Sequence, residues 1–252
     1  MNTHQIANIA VKAGELLLKS GAEIYRVEDT ITRICRSYGL ECETFVLPTG
    51  IFISASNALK HEIVSYTKRI RARTVNLQII EMVNTFSRNL ENKVLSYEEA
   101  ASELGRIQSL LVYKNWQRLL ASSIASFCFT LLIRGSVYDG IAAFASGMLI
   151  FFLREFMGRA GMFMFFDYFL SGTAAGMFAF LVRGFVPSLD LYKIVIGSIM
   201  MLLPGVAITN SIKDALYGDL VASVARFGEA LLMVSALGAG VGFGITLLLE
   251  LT

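Results

Sequence analysis

The sequence has 252 residues, of which 55% are hydrophobic and 17% are charged, and its mean hydropathy is +0.60. An average soluble domain has about 25% charged residues, so this composition excludes a disordered chain. The formal net charge of +2 gives no strongly basic surface, and we expect no nucleic-acid partner. Of the 42 charged residues, 26 lie in the first 115 positions, which predicts a polar domain over 1–115 and a transmembrane helical domain over 116–252.

The sequence shows no pattern of a metal site or a common catalytic site. Cys35, Cys42 and Cys128 form no C-x-x-C motif and cannot all pair, which favours free thiols in a reducing compartment. His4 and His61 are too few and too scattered for a zinc site. No P-loop, HExxH or GxSxG motif occurs, so we expect no metal, no cofactor and no enzymatic activity. The N-terminal stretch has charges and no cleavage site, which excludes a signal peptide and places the N-terminus in the cytosol.

The N-terminal domain is predicted to begin with a helical hairpin. Apolar residues at three- and four-residue spacing predict an amphipathic helix over 5–19, which Ser20-Gly21 ends. A second helix follows over 22–38, and Gly39 closes it.

Three strands and two further helices complete a predicted small α+β cytosolic domain. β-branched and aromatic runs, separated by Pro48-Thr49-Gly50 and by Asn57-Ala58, predict an antiparallel meander. The predicted strands are 43–47, 51–56 and 61–70. Helical spacing returns over 74–90 and 97–112, and Ser96 is the expected N-cap of the last helix.

From Trp116 onward the chain contains successive apolar runs, and about 20 such residues cross a hydrocarbon core of about 30 Å. We predict five transmembrane helices, at 116–133, 138–153, 162–182, 191–203 and 227–249. The fourth is interrupted at Pro204-Gly205, because proline removes a backbone donor. Six Lys and Arg residues flank the predicted inner ends and three flank the outer ends. This asymmetry predicts a cytoplasmic N-terminus and a C-terminal tail, 250–252, outside the plasma or inner membrane.

The segment after the interrupted helix is polar and predicts either a transport pathway or a cytoplasmic loop helix. Broken helices line the substrate and ion sites of secondary transporters. The polar side chains that we predict to line a substrate or ion pathway here are Thr209, Asn210, Lys213, Asp214, Asp219 and Arg226. The other interpretation is that these residues lie on an ordinary helix that faces the cytosol.

Two acidic residues lie within predicted membrane spans. Asp167 is near the inner end of the third span, and Glu229 is at the start of the last one. A carboxylate at the bilayer centre costs roughly 2.5–3.5 kcal/mol on insertion scales, so a deeply placed one is neutral or paired. At the interface it is simply hydrated. We include both in the predicted substrate or ion pathway, and our hypothesis is that Asp167 or Asp214 couples transport to protons.

Two separated stretches resemble the threonine/serine exporter family. The first is KSGAEIYRVEDTITRICRSYGL followed by LPTGIFIS, and the second is PGVAITNSIKDALYGDLVASVAR. The matching positions are Gly21, Ala22, Arg26, Glu28, Pro48, Thr49, Gly50, Pro204, Gly205, Thr209, Asn210, Asp214, Gly218, Asp219 and Arg226. Members of this family are either one long chain or two chains, and this chain is similar to the longer subunit of the two-chain form, as in the two-component succinate exporter.

The resemblance implies export of small carboxylate-bearing metabolites, either threonine and serine or dicarboxylates such as succinate. It also implies a smaller membrane subunit as partner. The predicted odd number of spans agrees with this, because two transporter halves of inverted topology each need an odd number of spans. Homodimerisation is the rival. Arg226, Thr209 and Asn210 are our candidates for carboxylate recognition, and an ion gradient is the expected energy source.

Two other functions stay open on the sequence alone. A membrane-anchored sensor would bind a cytosolic metabolite through its N-terminal domain and use the spans only as an anchor. A membrane enzyme would use Asp167, Asp214 and Asp219 with a metal, but their spacing matches no known ligand set.

Overall fold

A computed structural model describes residues 1–57, 62–71, 73–109 and 113–251. Most of this part of the chain is helical, with a small antiparallel sheet near the N-terminus, in strand order β1-β2-β3. The strands are β1 (Glu41–Leu47), β2 (Gly50–Asn57) and β3 (Glu62–Arg69). The helices are α1 (Thr3–Lys19), α2 (Ile24–Ser37), α3 (Leu77–Asn92), α4 (Tyr97–Gln108), α5 (Asn115–Leu132), α6 (Val137–Arg159), α7 (Met164–Phe185), α8 (Leu191–Ile199), α9 (Gly205–Leu216) and α10 (Leu220–Leu251).

The chain divides into two compact units. The N-terminal unit comprises Met1–Leu111 and Gly205–Gly228, and the membrane unit comprises Val112–Pro204 and Glu229–Thr252. The N-terminal unit therefore includes α9 and the first turns of α10 as well as the segment expected from the sequence. The division at residue 115 itself stays a prediction.

The core of the N-terminal unit lies where α1 and α2 cover one face of the sheet. Alternate residues of β2 face this core, so Ile51, Ile53 and Ala55 are buried whereas Phe52 is exposed. Ile9 and Leu17 of α1 are also fully buried, and each such side chain contributes about 1.5–3 kcal/mol of transfer free energy. The predicted helical hairpin and three-stranded meander are confirmed.

The ends of these elements follow the capping residues. Asn2 and Ser96 cap α1 and α4, and each forms a capping box with the side chain three residues later. The predicted N-cap at Ser96 is thus confirmed. Asn57 is the last residue of β2. Residue 58 of the predicted turn, residue 61 of the predicted third strand and residues 110–112 of the last predicted helix lie outside the described residues.

In the membrane unit, helices approach closely where small residues face one another. Gly172 and Gly176 of α7 contact the backbone of α10, and Gly240 and Gly244 of α10 contact the backbone of α7. A methyl group built on Gly240 would lie 2.0 Å from the carbonyl oxygen of Phe169. These four glycines therefore act in helix packing, as small residues do at interfaces of membrane helices.

Three of the described helices, α6, α7 and α10, are long and apolar enough to cross a membrane. A fourth span results if α8 with the following turn, Met200–Leu202, and α9 are counted as one interrupted segment. The interruption predicted at Pro204-Gly205 is present, since α9 begins at Gly205. Helix α5, the first predicted span, has 18 residues and is not among the three. The count of five spans stays a prediction.

Helix α10 is longer than the predicted last span. It begins at Leu220 instead of Phe227, and its 32 residues extend about 48 Å, more than a hydrocarbon core of about 30 Å. The turn that precedes this helix lies at Gly218, whose φ is +93°. The predicted membrane span, 227–249, lies within α10 and stays a prediction.

Candidate functional site

The connection between α1 and α2 carries the first part of the motif noted in the sequence. Its glycine, Gly21, has a φ of +82°, a backbone conformation that favours glycine. A methyl group there would also lie 3.1 Å from the carbonyl oxygen of Thr74. This turn therefore favours glycine both for its positive φ and for the close approach of Thr74.

Side chains of α9 and α10 hold this connection through its backbone. The amide nitrogen of Asn210 donates to the carbonyl oxygen of Gly21 at 2.8 Å, and Nη2 of Arg226 donates to that of Ala22 at 2.8 Å. The backbone N–H of Ile24 donates to Oδ1 of Asp214 at 3.0 Å. We call the side chains of Asn210, Asp214 and Arg226 the loop clamp.

The loop clamp contains a buried ion pair. Nε of Arg226 lies 3.2 Å from Oδ2 of Asp214, and the exposed fractions of the two side chains are 5% and 0%. Buried ions need partners for all of their polar atoms, and the loop backbone supplies two of them. Three residues predicted to line a transport pathway therefore bind protein backbone in this structure.

A second ion cluster lies beside the loop clamp. Glu23 accepts from Nε of Arg26 at 2.8 Å and from Nζ of Lys213 at 2.9 Å. Burial by itself raises the pKa of Glu23, but the hydrogen bonds from Arg26 and Lys213 outweigh burial and lower this pKa to about 2. Glu23 therefore stays ionised at neutral pH, and the predicted residues Arg26 and Lys213 are paired with it.

Glu28, another motif residue, binds the sheet. Its carboxylate accepts from the backbone N–H of Val46 at 2.9 Å. Burial raises the pKa of Glu28, the Val46 amide opposes this rise, and the carboxylate of Asp219 adds to it. Asp219 is half-buried, and its backbone N–H donates to the carbonyl oxygen of Asp214 at 2.8 Å.

The remaining motif residues form the hairpin turn between β1 and β2. Pro48 and Thr49 are the two turn residues, and Gly50 pairs with Leu47 at the end of the hairpin. The carbonyl oxygen of Thr49 accepts from the backbone N–H of Ile70. These three residues therefore shape the β1–β2 turn, and they line neither of the cavities described below.

A cleft of about 510 Å³ opens in the N-terminal unit between α3 and α9, with the start of α2 as its floor. We call it the α3–α9 cleft. Its polar lining side chains are Glu23, Arg26, Glu81, Asn84, Thr85, Arg88, Asn210 and Lys213. The exposed side chain of Thr209 does not line it.

A cavity of about 670 Å³ lies in the membrane unit. It is an open cavity bounded by the start of α5, the end of α6, the start of α7 and the end of α8, and we call it the arginine cavity. Its polar lining residues are Arg118, Ser122, Ser126, Arg154, Glu155, Arg159, Asp167 and Ser198. Both cavities fall within the range of about 300–1,000 Å³ that is usual for small-molecule sites.

The charged end of the arginine cavity is organised by Arg154 and Asp167. Nε and Nη2 of Arg154 lie 3.1 Å and 3.0 Å from Oδ2 of Asp167, and the guanidinium also lies 5.3 Å from the ring centre of Tyr168. Arg159 and Arg118 lie 3.2 Å and 3.9 Å from the carboxylate of Glu155. Asp167 is therefore paired, as a carboxylate in a membrane helix requires.

Serine hydroxyls line the other end of the arginine cavity. Ser126 lies eight residues beyond Arg118 on α5, which places it about 12 Å further along the helix axis. Its hydroxyl donates to the carbonyl oxygen of Ser122, and Ser198 donates in the same way to Ile194. The lone pairs of these hydroxyls are left to accept from a ligand.

Sequence reasoning found only Asp167 of the residues that line the arginine cavity. Arg118, Arg154 and Arg159 are three of the six Lys and Arg residues that flank the predicted inner ends of the spans, and they served only as evidence for membrane orientation. The serines were not singled out. Their spacing on α5, at Arg118, Ser122 and Ser126, was the available signal, since residues four apart share a helix face. The predicted residue Glu229 is half-buried on α10 and does not line this cavity.

Within the described residues, no group of three or more His, Cys, Asp or Glu residues could hold a metal ion. The structure therefore offers no observation in favour of the metal-dependent enzyme considered from the sequence.

Comparison with known families identifies the chain. The sequence model of the family described as "Putative threonine/serine exporter" matches residues 8–248. The chain belongs to the threonine/serine exporter family. This match confirms the resemblance seen in the sequence, and family membership together with the apolar helices shows that this is a membrane protein of exporter type.

Curated relatives are distant in sequence but match along most of the chain. It is 21% identical to the "Probable succinate transporter subunit YjjP" of Klebsiella aerogenes, covering 96% of this chain and 93% of that one. It is also 21% identical to the protein of the same name from Escherichia coli K12, and the match covers 98% of this chain and 97% of that one. The "Threonine/serine exporter" of Corynebacterium glutamicum is 24% identical over 96% of this chain, which spans 51% of that protein. No solved structure matches.

Proposed function

We propose that this protein is the larger subunit of a two-chain secondary active exporter, which moves small carboxylate-bearing metabolites out of the cytosol. The arginine cavity is the structural observation that carries this proposal. It is large enough for a metabolite, and it combines three guanidinium groups with serine hydroxyls in a unit of apolar helices. Threonine, serine and succinate all carry carboxylates, and the names of the relatives support these substrates.

In this proposal Arg154 recognises the carboxylate of the substrate. Guanidinium groups bind carboxylates through two hydrogen bonds, and Arg154 already binds both oxygens of Asp167, with Nε 3.3 Å from Oδ1 and Nη2 3.0 Å from Oδ2. A substrate carboxylate would take over Arg154 and leave Asp167 without its cation. Asp167 would then take up a proton, which links substrate binding to the proton gradient at this ion pair.

The proposed topology has five spans, with the N-terminus in the cytosol and the C-terminus outside. Helices α5, α6, α7, α8 and α10 would be the spans. The lining residues at the charged end come from the start of α5, the end of α6 and the start of α7. With the N-terminus inside, all three of these helix ends are cytoplasmic, so the arginine cavity would open toward the cytosol.

The proposed partner is a smaller membrane subunit that supplies the remaining spans. Two relatives of nearly equal length carry the word subunit in their names, and this chain spans only about half of the one-chain exporter from Corynebacterium glutamicum. Native mass measurement of complexes from source membranes tests the partnership. A complex with a second, smaller chain is expected, and a homodimer alone would contradict it.

Counterflow into proteoliposomes tests the function itself. Vesicles that hold this chain together with the partner identified by native mass should accumulate labelled serine, threonine or succinate against an internal pool of the same compound. Vesicles with this chain alone should not. Absence of counterflow with both chains would contradict export and would favour the membrane-anchored sensor.

A further inference from the structure

The α3–α9 cleft carries polar groups that the proposed transport function does not use. One face of α3 presents Glu81, Asn84, Thr85 and Arg88 to it, at positions three, four and seven residues apart. Glu81 and Arg88 are separated by about 10 Å along the helix axis, and the amide and hydroxyl lie between them. The four groups therefore form a row from carboxylate to guanidinium.

Charge pairing distinguishes this row from the floor of the cleft. On the floor, Glu23 is paired with both Arg26 and Lys213, which leaves one excess positive charge there, and Asn210 binds the backbone of Gly21. Neither Glu81 nor Arg88 has a hydrogen bond or ion pair to any residue in the described part of the chain. Glu81 and Arg88 thus face the same cleft, and they are not paired with each other.

We propose that the α3–α9 cleft binds a small zwitterionic amino acid, with its carboxylate on Arg88 and its ammonium group at Glu81. The side-chain oxygen of Asn84 accepts from the hydroxyl of Thr30 at 3.5 Å, and its side-chain nitrogen has no hydrogen bond in the described structure. Both amide hydrogens can therefore donate to a ligand. This site is separate from the arginine cavity. It adds a metabolite-binding role to the N-terminal unit and does not depend on transport through the membrane unit.

The charge arrangement selects a zwitterion over other metabolites. A dicarboxylate would leave Glu81 without a counter-ion, and its second carboxylate would reach Arg26 or Lys213 only in competition with Glu23. A simple amine would leave Arg88 unpaired. A neutral-pH amino acid carries one charge of each sign and so satisfies both ends of the row.

Equilibrium binding of labelled L-serine to the full chain in nanodiscs tests this proposal. The full chain is necessary because α9 forms one wall of the cleft. L-serine should compete with the label, whereas ethanolamine, which lacks the carboxylate, and 3-hydroxypropanoate, which lacks the amine, should compete at least tenfold more weakly. Equal competition by 3-hydroxypropanoate or by succinate in the Arg154→Gln chain, where the arginine cavity does not contribute, would overturn the zwitterion assignment.

Single substitutions locate the site. Arg88→Gln and Glu81→Gln should each weaken serine binding at least tenfold, whereas the matched exposed controls Arg36→Gln and Glu98→Gln should not. Arg154→Gln distinguishes this site from the arginine cavity. Binding that survives Arg154→Gln and is lost in Arg88→Gln supports the cleft, whatever the outcome of counterflow. The opposite pattern, or no binding to the wild-type chain, would overturn it.

Discussion

Each unit contains an Arg–Asp pair whose aspartate the sequence suggested for transport, and the two pairs differ in exposure. In the N-terminal unit, the side chains of Arg226 and Asp214 are 5% and 0% exposed and bind the loop backbone. In the membrane unit, those of Arg154 and Asp167 are 38% and 19% exposed and line a cavity. The first pair is buried and also binds the loop backbone, whereas the second is partly exposed to a cavity. Similar polar residues thus have different roles, and burial and backbone contacts distinguish them.

The largest effect is expected from breaking the buried pair. Arg226→Ala leaves Asp214 buried without its cation, which costs about 3–5 kcal/mol of folding free energy. Urea unfolding of the N-terminal unit in the detergent-solubilised chain, followed by circular dichroism, measures this loss. Thr209→Ala, on an exposed face of the same helix pair, should change stability by less than about 0.5 kcal/mol. An unchanged stability for Arg226→Ala would show that the loop clamp is not structural.

Much of the fold could be predicted from the sequence because the signals are local. The apolar spacing of 5–19 and the strand runs on either side of Pro48-Thr49 specify α1, β1 and β2 without reference to distant residues. The loop clamp could not be predicted in this way. Its contact between Asp214 and Ile24 joins residues 190 positions apart, and nothing in the polar segment indicates that backbone atoms are its partners.

Cavities are hard to predict for a related reason. The arginine cavity combines residues from four helices, so its lining depends on how those helices pack. Asp167 stood out in the sequence only because a carboxylate in an apolar run is rare. Arg118 and Arg154 did not stand out, since arginines are common at the cytoplasmic ends of spans.

Glycine substitutions in α10 test the close packing of α7 against α10 within the membrane unit. Gly240→Ala places a methyl group 2.0 Å from the carbonyl oxygen of Phe169, whereas Gly238→Ala meets nothing within 4 Å. We expect Gly240→Ala to destabilise the isolated chain by about 1–3 kcal/mol, as overpacking does. Gly238→Ala should raise its stability by up to about 1 kcal/mol, because alanine favours a helix more than glycine does. Thermal unfolding of the two variants in detergent decides this. Equal melting temperatures would contradict the close contact of α7 and α10.

The cluster around Glu23 predicts a smaller, pH-dependent effect. Because the pKa of Glu23 is lowered to about 2 in the folded protein, its contribution is present above its unfolded pKa near 4.5 and is lost as pH falls toward 2. Glu23→Gln should cost about 1.5 kcal/mol at pH 7, since its partners Arg26 and Lys213 are partly exposed.

The measurement is the difference in unfolding free energy between wild type and Glu23→Gln at several pH values. The difference should shrink between pH 4.5 and pH 2. The matched variant Glu98→Gln, at an exposed position on α4, should show no such dependence. A difference between wild type and Glu23→Gln that is constant across this range would contradict the ion cluster.

Counterflow with Arg154→Gln tests the central claim most directly, because the claim places the substrate carboxylate in the arginine cavity. The matched control is Arg183→Gln, an exposed arginine in the last turn of α7 that does not line the cavity. With both subunits present and equal amounts of folded protein, we predict at least a tenfold loss of counterflow for Arg154→Gln and wild-type counterflow for Arg183→Gln. Wild-type counterflow in Arg154→Gln would contradict transport through this cavity.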